Sequence, residues 1–151
     1  MQKLALYSLF FLLLFPGCSK DKYQTTPSLE IKSITPNPVS LNSPLTIDLD
    51  YTDKEGDIGD SIYIRKIRVN QKKLATVRDS FYLQFPGDVP DKTKGIIRLT
   101  LDYNTYVISA NNPGTPPNAA PDSLIFRIAI MDKGKHWSDT TESGIVVVER
   151  Q

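Results

Sequence analysis

The chain predicts an all-β fold built as an antiparallel two-sheet sandwich, and three features of its 151 residues carry that prediction. From Leu29 on, apolar residues recur with period two, and no stretch sustains a helical period. Turn residues break the alternation about every ten positions. The 11 prolines and 8 glycines favour many turns over long helices.

The elements follow in order. "LEIKSI" at 29–34 opens the domain, and "PLTIDLDY" at 44–51 sets Leu45, Ile47, Leu49 and Tyr51 against Thr46, Asp48 and Asp50. In "SIYIRKIRVN" at 61–70, Ile62 and Ile64 share one face while Ile67 and Val69 share the other, which predicts a bulge near Arg65 and Lys66. "SFYLQF" at 80–85 places Phe81, Leu83 and Phe85 on one side. "GIIRLTLDYNTYVI" at 95–108 is the longest alternating run, and the polar connection 109–122 that follows carries four prolines. "SLIFRIAI" at 123–130 and "GIVVVE" at 144–149 flank a glycine turn at 132–135 and close the domain. About seven short strands in this length fit an immunoglobulin-like arrangement, predicted from strand count and spacing over residues 29–151.

Charge excludes one class of partner. Lysine and arginine together number 18 and acidic residues 17, without a basic cluster, so nucleic acid is not an expected partner. An enzyme is not expected either, since the chain has one histidine, one cysteine and no Gly-x-Ser-x-Gly elbow.

The N-terminus carries a different message. Lys3 precedes an apolar run from Leu4 to Phe15, broken only by Ser8, and Pro16-Gly17 stands before Cys18, the pattern of a secretory signal. The run is 12 residues long, whereas a spanning helix needs about 20. Gly17 and Cys18 resemble the lipobox of bacterial lipoproteins, in which the cysteine is acylated and becomes the mature N-terminus. The resemblance implies a signal peptide at 1–17 and a lipidated cysteine with a flexible tether at 18–28. It also implies a membrane partner reached through N-terminal acyl chains, since two or more chains give a stable anchor. Ser19-Lys20-Asp21 is similar to the export signal of surface lipoproteins of Bacteroidota. The expected location is therefore the outer membrane, on its surface, with the periplasmic face as the alternative.

The densest chemistry lies in "YTDKEGDIGDS" at 51–61. Asp53, Glu55 and Asp57 alternate as calcium-binding carboxylates do, with Asp60 following, and calcium takes about six to eight oxygens. The spacing is not that of an EF-hand, because the glycine and closing glutamate positions fall on Ile58 and Ile64. In an immunoglobulin-like topology the loop before the final strand emerges at the same pole, which would bring Asp132 toward Asp53, Glu55 and Asp57. The competing reading is a solvated turn in which Gly56 and Gly59 shape the chain and Ile58 pins it. The stretch also resembles an Asp-x-x-Gly-Asp-Ile-Gly loop of small Bacteroidota lipoproteins with immunoglobulin- or cadherin-like sandwiches, through Asp53, Gly56, Asp57, Ile58 and Gly59. A transition metal is disfavoured, because His136 is the only histidine and Cys18 is taken by the anchor.

His136 and Trp137 form a second candidate. An exposed indole there stacks on a sugar ring, whereas an indole that starts the last strand covers the sheet edge instead. Tyr103 and Tyr106 pose the same choice, with core packing favoured. The expected role is non-catalytic binding or assembly with an envelope protein, the alternatives being a carbohydrate-binding accessory of a surface glycan-uptake system or a structural spacer.

Overall fold

The computed structural model describes residues 26–70, 77–87, 91–108 and 120–150. The segment expected to hold the signal, Cys18 and the tether up to residue 25, together with most of the proline-rich connection, lies outside the described residues. Among those described, the strands are β1 (Ser28–Thr35), β2 (Leu45–Thr52), β3 (Ile58–Arg68), β4 (Ser80–Gln84), β5 (Lys94–Leu101), β6 (Asp122–Asp132), β7 (Thr141–Glu142) and β8 (Val146–Val148). One sheet has the order β1-β2-β5 and the other β4-β3-β6-β7, with β8 also pairing to β6. The strands within each sheet pair antiparallel. The chain passes between sheets after β2, β4 and β5, which is the partition of an immunoglobulin-like sandwich.

The core follows from the period-two patterning. Leu45, Ile47, Leu49 and Tyr51 of β2 and Ile97, Leu99 and Leu101 of β5 are buried on one sheet. From the other, Ile62 and Ile64 of β3 meet Leu124, Phe126, Ile128 and Ile130 of β6 within the same core. Burying an aliphatic side chain of this size contributes about 1.5–3 kcal/mol, so these rows fix which face of each strand turns inward.

Three elements differ from the pattern read in the sequence. The irregularity of β3 lies between Ile58 and Ser61, not near Arg65 and Lys66. Lys66 and Arg68 stay in phase with Ile62 and Ile64 and point into the protein. Their charges explain how this is tolerated. Lys66 Nζ donates to the carbonyls of Tyr106 at 2.6 Å and Ile108 at 2.7 Å, while Arg68 lies 4.0 Å from the buried carboxylate of Asp122.

The run at 95–108 is a strand only as far as Leu101. It then forms a π-helical turn, Tyr103–Val107, started by the Asp102 carboxylate accepting from the Thr105 amide at 2.8 Å. Tyr103 is buried and donates its hydroxyl to the Glu149 carbonyl at 2.6 Å, and Tyr106 packs against Phe81 with ring centroids 4.9 Å apart. Finally, the closing segment is split. Trp137 makes one bridge to Met131, and β7 and β8 are short separate strands against β6.

Candidate metal centre

The register of β3 against β6 places Ile58 opposite Asp132, so the loop entering β3 and the turn leaving β6 emerge together. The Lys133 amide then donates to the Asp57 carbonyl at 2.9 Å, joining the two segments directly.

The 53–57 loop is shaped by its first carboxylate. Asp53 accepts from the Asp57 amide at 2.9 Å and from the Glu55 amide at 3.4 Å, an aspartate turn that folds the loop onto itself. Its own amide donates to the Thr93 carbonyl at 2.8 Å. Gly56 supplies the positive φ of 71° that this reversal requires. The partner turn repeats the device: Asp132 accepts from the His136 amide at 2.8 Å and meets His136 Nδ1 at 3.1 Å.

Charge at this pole is poorly compensated. Asp53 is 1% exposed and Asp132 0%, and Asp57 Oδ1 is buried without a hydrogen-bond partner among the described residues. Desolvation, the Asp132 charge and a carboxyl-to-carboxylate hydrogen bond with Asp53 push the Asp57 carboxyl above its ordinary range. Both lysines of the turn are directed elsewhere, Lys133 to Asp91 at 3.0 Å and Lys135 to Asp60. A site of this kind either keeps a proton or accepts a cation.

Of the residues singled out in the sequence, Asp53, Asp57 and Asp132 converge here. Glu55 is exposed, yet its carboxylate, that of Asp132 and the His136 ring offer donor atoms all within 4.8 Å of one another. Asp60 is the one drawn away: it lies on β3, and hydrogen bonds from Lys135 and Ser61 hold its carboxyl below the ordinary range. His136, paired in the sequence reading with Trp137, faces Asp132 instead.

Trp137 stands beside a feature that the sequence reading passed over. Its indole lies 6.2 Å from the Tyr82 ring, which lies 5.1 Å from the Tyr63 ring, centroid to centroid. The signal was available, because Tyr63 sits between Ile62 and Ile64, and Tyr82 between Phe81 and Leu83. Alternation sends both tyrosines outward.

No family model and no curated protein matches the chain. Among solved structures it is similar to Spo0M, a sporulation control protein from Bacillus subtilis, at 11% identity and a TM-score of 0.42, over 83% of this chain and 50% of that one. It is also similar to a beta-glucosidase from Listeria innocua in complex with gluconolactone, at 12% identity and a TM-score of 0.39, over 82% of this chain and 16% of that one. The chain thus spans half or less of either, and likenesses this remote carry no functional argument.

Proposed function

We propose that the protein is a lipid-anchored envelope lipoprotein, facing outward from the outer membrane, whose sandwich acts by binding or assembly rather than catalysis. At its carboxylate pole it takes a calcium ion. The observation that carries the cation is Asp57 Oδ1, buried and without a hydrogen-bond partner among the described residues, beside the fully buried Asp132. Glu55 and Asp132, whose donor atoms already lie within 4.8 Å of each other and of the His136 ring, would hold the ion, with the neighbouring Asp57 carboxylate turning to complete it and Asp53 shaping the loop. A bound ion would neutralise the pole and tie the 53–57 loop to the 132–136 turn. The anchor rests on Lys3, the Leu4–Phe15 run and Cys18.

Thermal unfolding of the purified protein in calcium and in chelator tests the cation. At about 100 times its dissociation constant, a ligand of the folded state adds about 2.7 kcal/mol, which appears as a rise of several degrees. Coincident curves would remove calcium from the reading. A response to zinc alone would move the site to a nitrogen-assisted centre on His136. For the anchor, Cys18→Ala should release the protein from the membrane fraction, and retention there would contradict lipidation.

A further inference from the structure

The outer face of the β4-β3-β6 sheet holds a row of aromatic rings where a solvated face would be polar. Tyr82 is 65% exposed and stands directly opposite Tyr63 in the β3 to β4 register. Trp137, 39% exposed and bridged to Met131 of β6, brings its ring within 6.2 Å of that of Tyr82. The planes are inclined by 47° between Tyr63 and Tyr82 and by 56° between Tyr82 and Trp137, so this short aromatic ladder is tilted ring to ring. Ala129 pairs with Tyr63 from β6 and is buried although its inward neighbours are Ile128 and Ile130, which leaves the row a small floor residue.

Polar groups border the ladder one step further along the strands. Arg65 pairs with Arg127, and Arg127 with Glu142, across β3, β6 and β7. With Tyr63 and Thr140 they line a shallow depression. Arg127 is neutralised by Glu142 at 2.5 Å, whereas the exposed Arg65 has no ion pair among the described residues. The face therefore offers three stacking rings, a hydroxyl, a carboxylate and one uncompensated cation.

We infer that this face binds a saccharide bearing carboxylate groups, with Tyr63, Tyr82 and Trp137 stacking on sugar rings and Arg65 pairing with the acid. A pyranose matches the chemistry, having an apolar C–H face for an aromatic ring and polar groups at its edge for Arg65, Thr140 and Glu142. The charge of Arg65 selects an acidic sugar over a neutral one. A protein partner is less suited, because protein interfaces centre on a well-packed pocket, and this surface is a shallow row of rings with polar groups at its side. The inference rests on the non-catalytic binding role proposed above and is independent of calcium.

Trp137 is the only tryptophan in the chain, so its fluorescence reports this face alone. In chelator, polygalacturonate oligosaccharides should shift its emission saturably, and neutral dextran should not. Tyr82→Ala and Arg65→Ala should each weaken the response about tenfold, with unfolding temperatures unchanged, because both side chains are exposed. No shift with polygalacturonate, or a shift that survives Tyr82→Ala, would overturn the proposal. Dextran binding as tightly, with Arg65→Ala silent, would overturn the assignment of an acidic sugar. Polyglutamate binding as tightly as polygalacturonate would overturn the saccharide in favour of an acidic polypeptide. Failure of the calcium melts would leave these readings intact, so the two proposals fail separately.

Discussion

Asp132, the last residue of β6, stands opposite Ile58, the first residue of β3, and this one pairing creates the carboxylate pole. Ile58 is fully buried, so the register is held by hydrophobic burial while the charges are carried on the flanking residues. Stability and charge strain therefore meet within a few residues.

That arrangement gives Asp57→Asn two effects of opposite sign. In chelator the variant should melt at a higher temperature than the parent, because it removes a carboxylate that burial and Asp132 disfavour. In calcium it should lose the rise of several degrees expected from about 2.7 kcal/mol of binding. Glu55→Gln, at an exposed position, should lower calcium affinity without moving the chelator curve. A lower chelator midpoint for Asp57→Asn would show that its carboxylate is held by protein contacts instead.

Lys66, toward the far end of β3 from that pole, gives a pH signature of its own. Burial lowers its pKa from 10.5 to about 8, opposed only in part by Asp79 and Asp122. The unfolded chain thus binds more protons than the folded one between about 8 and 10.5, and stability rises with pH across that window. The gain is absent below the folded value and complete above the unfolded one. Urea unfolding of the parent and Lys66→Met from pH 7 to 10.5 should show curves that diverge, the parent gaining and the variant not. Parallel curves would mean that the ammonium is solvated.

Lys66 also shows where the sequence was legible. Alternation located the apolar core and most of the strands, because Leu45 to Tyr51 alternate without exception and Leu124 to Ile130 break the pattern only at the buried Ala129. It failed at Lys66 and Arg68, whose burial depends on the Tyr106 and Ile108 carbonyls and on Asp122, all distant in sequence. The π-helical turn was missed for a related reason: Tyr103 continues the alternation of β5 inward, and only the Asp102 cap ends the strand. Asp53, Asp57 and Asp132 were legible as a group because topology places their loops at one pole. The turn of His136 toward Asp132 was not, since it depends on local hydrogen bonding.

Asp122 is the buried acid facing two arginines. Arg68 and Arg150 have side chains only 1% and 5% exposed, and both reach the Asp122 carboxylate. Removing one member of a buried charge group costs about 3–5 kcal/mol, because the remaining charges lose compensation in low dielectric. Asp122→Ala should therefore lower stability by about that amount in urea titrations. A loss below about 1 kcal/mol would place the arginines in contact with water.

Gly95 tests the packing that supports the pole from the other sheet. It stands opposite Tyr51 in the β2 to β5 register, and a Cβ there would lie 2.9 Å from the tyrosine Cε1 and hydroxyl oxygen. Tyr51 is buried, and desolvation together with the Asp53 charge pushes its hydroxyl pKa up, so its ring lies over the glycine and within the field of the loop. Gly95→Ala must displace that ring, and overpacking of this kind costs about 1–3 kcal/mol. The double variant Gly95→Ala with Tyr51→Leu should lose less than the two single losses added together, since the clash is gone once the ring is removed. Additive losses would instead show that the alanine acts through the backbone of β5, with Tyr51 free to swing aside.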